Sequence, residues 1–174
     1  PKPIVIEAAP IAVLSKSVNA KWADALTAPQ NGAILRPGPF QIDDGLAQVE
    51  FVGGAQVIVR GPAQLDLRSA GEVRLLDGSA TVRISEQAKG FRLKAPGLEV
   101  FAGTGTYGLS VKDGQAELHA MGGNVSIRDE AGTMKELVEA TAIKLANSAF
   151  QPVSYQPQSF PNLKELLRQE RQVV

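Results

Sequence analysis

The chain's single histidine, His119, is the residue best suited to moving a proton near neutral pH. In Gln115-Ala116-Glu117-Leu118-His119-Ala120, apolar and polar residues alternate. That alternation puts His119 and Glu117 on the wet face of a strand, with Ala116, Leu118 and Ala120 facing a core. A His-centred hydrolytic site also needs a nucleophile and an orienting acid, and no local motif supplies either. His119 therefore reads as a surface residue whose removal changes stability by less than about 0.5 kcal/mol.

Other stretches invite chemistry and lose it on spacing. Gly103-Thr104-Gly105-Thr106-Tyr107-Gly108 has the glycines of an anion cradle. Such cradles precede a helix, whereas Tyr107-Gly108-Leu109-Ser110-Val111 continues as a strand, so a turn or bulge is expected. Asp43-Asp44-Gly45 and Asp113-Gly114 lack the alternating ligands and distant Glu of a calcium loop, and read as turns. No pair of acids is marked out for glycoside cleavage. Trp22 reads as an anchor for the N-terminal region, with a sugar-stacking platform as the alternative. With no cysteine, disulfides, thiolate nucleophiles and cysteine-bound metals are excluded. No catalytic, cofactor-binding or metal-binding residue is nominated, and no binding residue is assigned.

The elements around these residues follow from periodicity. All 17 glycines fall between Gly32 and Gly132, which separates a glycine-poor head, a punctuated body and a glycine-free tail. In the body, residues such as Ala47, Val49, Phe51 and then Ala80, Val82, Ile84 recur with period two. This places Phe51 inward, with Gln48 and Glu50 on the opposite, wet face. Gly53-Gly54, Gly61-Pro62, Asp77-Gly78, Asp113-Gly114 and Gly122-Gly123 are read as the turns between runs. Glycine interrupts nearly every window long enough for a helix, at about 1 kcal/mol each relative to Ala.

The fold expected is all-β: a two-layer, solenoid-like β-sandwich of many short strands, with a short C-terminal helix. Residues 1–31 form an N-terminal segment packing on the β domain, 32–146 the β domain, 147–159 a linker and 160–174 a terminal amphipathic helix. In that helix Leu163, Leu166, Leu167 and Glu170 share one stripe, and Pro161 is expected in its first turn. Its apolar side is expected to dock on the chain's own domain or to lead into a further one.

Lys plus Arg and Asp plus Glu balance at 18 each, so nucleic acid is not an expected partner. The 44% hydrophobic content is that of a folded domain. No run of about 18 apolar residues marks a membrane span, and Pro1 to Ala12 lacks the pattern of a secretory signal.

The series Gly45-Leu46-Ala47-Gln48-Val49-Glu50-Phe51, Gly54-Ala55-Gln56-Val57 and Gly61-Pro62-Ala63 resembles the FecR family, in particular its planctomycete-like branch. Ala12-Val13-Leu14 with Trp22, Leu35-Arg36-Pro37-Gly38, Ala88-Lys89-Gly90-Phe91, Tyr107-Gly108, Glu117-Leu118-His119 and Gly123-Asn124-Val125 extend the likeness over Ala12 to Leu145. The resemblance implies a non-enzymatic, periplasmic or otherwise extracytoplasmic module of a membrane-anchored signalling protein that regulates an anti-sigma/sigma system. Its implied partner is another protein at the cell surface or in the periplasm, and no cofactor is implied. The alternative is a carbohydrate-binding or accessory domain of a cell-surface protein.

Two departures qualify the resemblance. Relatives in the iron-uptake branch carry a small α/β signalling subdomain after the β lobe, for which the tail beyond Leu145 is too short. Many relatives also have an acidic Asp-Leu-Gly-Thr-Glu-Phe-Gly-like turn where Ala102 to Gly108 has no acid, so no binding residue is carried over from that loop.

Overall fold

The computed structural model describes residues 8–172 except 25, 27, 89 and 102. The expectations that fall on Pro1 to Glu7, Lys89, Ala102 and Val173-Val174 lie outside the described residues. The chain is all-β with one terminal helix, as the period-two pattern requires. Its strands are β1 (Ala12–Trp22), β2 (Ile34–Leu35), β3 (Gly38–Phe51), β4 (Gln56–Ser69), β5 (Glu72–Ile84), β6 (Arg92–Ala95) and β7 (Leu98–Phe101). They continue with β8 (Gly105–Lys112), β9 (Gln115–Gly122), β10 (Val125–Asp129), β11 (Met134–Leu137), β12 (Thr141–Ala146) and β13 (Ala149–Val153), before helix α1 (Leu163–Gln172).

Four strands, β1, β3, β4 and β5, form an antiparallel trunk. At β5 the sheet forks. Glu72–Arg74 pair in parallel with β6, which leads to β7, β10 and β11. Gly78–Ile84 pair with β8, which leads to β9, β12 and β13. Residues of both branches, among them Leu93, Val100 and Ile127 on one and Leu109, Leu118 and Ile143 on the other, belong to one buried cluster. The fork thus supplies the two layers of the sandwich.

The trunk strands are long, and this corrects the expectation of short strands throughout. Gly45, Gly61-Pro62 and Asp77-Gly78 do not end strands but lie inside β3, β4 and β5. Each coincides with a shift in ladder register, and a similar shift interrupts β1 between Val18 and Lys21. Together they form one crease across the trunk. The crease needs bare backbone: a Cβ on Gly45 would lie 2.3 Å from the Asn19 carbonyl oxygen, and one on Gly78 would lie 2.6 Å from Ala63 Cβ. Aligned bulges bend a sheet and increase its twist, which lets one strand serve two layers.

Elsewhere the turn chemistry stands as read. Asp113-Gly114 closes the β8–β9 hairpin with both residues at positive φ (52° and 73°), and Gly53-Gly54 joins β3 to β4. Phe51 is buried and packs edge-on against Phe91 with centroids 4.9 Å apart. Residues 147–159, expected as a linker, contain β13, which pairs with β12, and a single 3-10 turn at Pro157–Ser159. The head contributes a full strand, because β1 pairs with β3 along its length.

Candidate binding surface

The outer face of the sheet, opposite the core, carries the most informative arrangement. Following ladder partners from strand to strand gives one row across seven strands: Lys16, Gln48, Ile58, Thr81, Gly108, His119 and Ala142. A second row, two residues along each strand, reads Val18, Leu46, Arg60, Ser79, Ser110, Glu117 and Lys144. Period-two alternation puts both rows on one face.

The C-terminal segment, from Tyr155 through α1, lies across these rows as a strap. At its start, the Gln156 N–H donates to His119 Nδ1 at 3.2 Å. That leaves the ring proton on His119 Nε2, which donates to Glu117 Oε1 at 2.8 Å. Phe160 packs edge-on against His119, with centroids 4.7 Å apart. It occupies the space over Gly108, where a Cβ would come within 2.7 Å of the Phe160 ring. Next, the Thr81 hydroxyl donates to the Pro161 carbonyl.

Asn162 then caps the helix: its side-chain oxygen accepts from the Glu165 N–H at 2.8 Å, an N-cap to N3 bond. Pro161 therefore precedes the cap and is not in the first turn. Glu165 meets Arg60 at 2.6 Å, Leu166 is fully buried against Val18 and Leu46, and Glu170 meets Lys16 at 3.2 Å. Glu165 in the first turn and Arg171 in the last also suit the helix dipole.

His119 is the principal correction to the sequence reading. It does face away from the main core, as the alternation demands, yet it is only 2% exposed because the strap covers it. Gln48, also expected in water, is buried on the same face, and Glu50 is half-buried, accepting from Gln56 Nε2 at 3.1 Å. The alternation correctly identified the face but could not identify what covers it.

The remaining sequence candidates are not brought together. Asp43 and Asp44 sit at the crease, where Asp44 Oδ1 accepts from the Gly45 N–H at 2.9 Å. Trp22 is half-buried and packs edge-on against Phe40 at 5.3 Å, the anchoring role expected of it. In the glycine loop, Tyr107 is buried and its hydroxyl donates to the Gly103 carbonyl at 2.9 Å. Burial raises the phenol's pKa above its ordinary value. Among the described residues no cluster of three or more His, Cys, Asp or Glu is arranged to hold a metal.

Arg60 and Thr81 are surface determinants that the sequence did not single out, and Gly108, which it did, has a different role beneath Phe160. The one available signal was that Gly108 is a glycine inside an otherwise well-formed strand pattern, which marks a close approach. Beside the strap the later part of the second row stays open, and Arg60, Ser79, Ser110, Glu117 and Lys144 line a groove of about 630 Å³ there.

Charges on the other branch are of a different kind. Glu99 meets Arg128 at 2.5 Å and Arg92 at 3.7 Å, while Lys94 reaches Glu72 at 3.4 Å. The hydrogen bond from Arg128 holds the Glu99 carboxyl below its ordinary range, against the opposing effect of partial burial. Both guanidinium groups also lie over the Phe101 ring, at 5.1 Å for Arg128 and 5.9 Å for Arg92.

No family model matches the chain, and no curated protein matches it. Solved structures do. Two crystal structures of a proposed anti-sigma factor from Parabacteroides distasonis ATCC 8503, at 2.50 and 1.65 Å resolution, superpose with TM-scores of 0.56 and 0.57. Sequence identity is 14% and 13%, and each match covers 70% of this chain. The match spans 62% of the length of each of those chains. At that identity the likeness establishes a shared β fold.

Proposed function

We propose that the chain is a non-enzymatic, extracytoplasmic protein-binding module of a FecR-like regulator in sigma/anti-sigma signalling. Two lines converge on this reading: the ordered FecR-like series from Ala12 to Leu145, and the shared fold with a proposed anti-sigma factor. The observation that carries the binding role is the outer face itself, two ladder rows across seven strands that accommodate a peptide segment. His119 supports a non-catalytic reading, because its two ring nitrogens are engaged by Glu117 and by the backbone of Gln156. Trp22 packs edge-on against Phe40 and against the core, which supports an anchoring role.

The test is genetic and biochemical. In the host bacterium, deleting the module from its parent protein should abolish or lock the response of a sigma-dependent reporter. The purified chain should capture a protein partner from the extracytoplasmic fraction without added sugar. An unchanged reporter, or capture of glycans lost with Trp22→Ala, would defeat the proposal.

A further inference from the structure

The strap-covered face has a floor unlike the rest of the buried interior. Among the described residues, the buried polar or charged side chains are Gln48, Thr81 and His119, and all three belong to the row beneath the strap. A face buried permanently gains most from apolar residues, since each polar group buried must find a partner or incur a penalty. A face that is alternately covered and wetted tolerates an amide, a hydroxyl and an imidazole, because water replaces the lost partners. The floor composition is therefore that of a surface that opens.

The strap is also held by contacts that can be exchanged. Of the helix residues only Leu166 is buried, and Leu163 is 40% exposed. Val18, Leu46 and Leu166 form a small cluster separate from the main core, so lifting the helix leaves that core intact. The two ion pairs that flank it, Arg60–Glu165 and Lys16–Glu170, include partly exposed groups and contribute little net energy. A helix of this length is marginal on its own, so release and refolding on the face are accessible.

We infer that residues 155–172 are a displaceable occupant of this face, and that the face is the docking groove for a segment of a partner protein with the same chemistry. That segment carries an aromatic ring for the slot over Gly108, then a short amphipathic helix. Its helix brings one leucine to Val18 and Leu46, and carboxylates to Arg60 and Lys16. Charge complementarity at those two cations, and the fit that the chain's own tail demonstrates, define this occupant. The inference rests on the protein-binding reading above and locates its site.

The experiment uses the full chain and a fluorescent synthetic peptide of residues 155–172. Leu166→Asp removes the apolar seat without touching the main core, and Glu170→Lys, an exposed change, sets like charges at Lys16. Because the chain has no cysteine, Lys16→Cys with Glu170→Cys, bridged by a short bis-maleimide, locks the strap selectively. Leu166→Asp should bind the peptide about tenfold or more tightly than wild type, as when a groove open a tenth of the time becomes fully open. Glu170→Lys should shift binding in the same direction by less, and the locked chain should not bind. Equal affinity for all four folded chains, or binding to none, overturns the inference. Wild-type dimers that exchange tails, detected by light scattering, would assign the groove to a second copy and overturn the partner assignment. Peptide binding requires no signalling partner, so a negative result here alongside a reporter that responds to the module rejects the groove and leaves the proposed function standing.

Discussion

His119 shows how a single side chain can change meaning between sequence and structure. As a surface residue its loss would be silent. Buried beneath Tyr155 and Phe160, and joining Glu117 to the Gln156 N–H, it is part of the strap's seat. His119→Ala removes two hydrogen bonds and an aromatic contact, which corresponds to a loss of about 1–3 kcal/mol. Urea midpoints of wild type and variant measure it directly. A change within about 0.5 kcal/mol, the range of ordinary surface substitutions, would restore the surface reading and remove His119 from the strap's support.

At the scale of elements the crease is the decisive feature, because it turns apparent strand ends into bends within long strands. Gly78 has φ near 106°, and a Cβ there would fall 2.7 Å from the Pro62 carbonyl oxygen as well as against Ala63. Gly78→Ala combines left-handed backbone strain with overpacking, each typically about 1–3 kcal/mol. Gly71→Ala is the matched control, since a Cβ there meets nothing within 4 Å. Thermal denaturation should show a loss of at least about 2 kcal/mol for Gly78→Ala and a shift within about 0.5 kcal/mol for Gly71→Ala. Comparable melting of the two variants would mean that the crease is not under steric constraint.

For the molecule as a whole, the fork at β5 divides the sheet into two branches with different exteriors. One carries the strap; the other carries the charge cluster centred on Glu99. Arg128, chiefly through its hydrogen bond, keeps the Glu99 carboxyl ionised at a lower pH than in the unfolded chain, where its ordinary value is 4.5. The unfolded state therefore takes up a proton first as pH falls. The stabilisation is complete above that ordinary value and is lost as pH drops through the depressed folded value. Urea midpoints measured across the acid range should fall less steeply for Glu99→Gln than for wild type. Parallel curves would show that the cluster does not couple to folding.

Sequence alone determined the all-β class, because period-two alternation and closely spaced glycines are local properties that exclude long helices. It determined the inward face of Phe51, the Asp113-Gly114 hairpin and the terminal helix for the same reason, as each depends on neighbours a few residues away. Only the tertiary structure decided which glycine pairs end a strand and which bend one. Gly53-Gly54 and Asp77-Gly78 offer the same turn chemistry, and the difference lies in whether a neighbouring strand continues the ladder past them. The binding face was hidden from sequence for a related reason. Lys16, Gln48, Thr81, Gly108 and His119 are far apart in the chain and become a row only through strand pairing, and alternation cannot tell a face open to water from one covered by a distant tail.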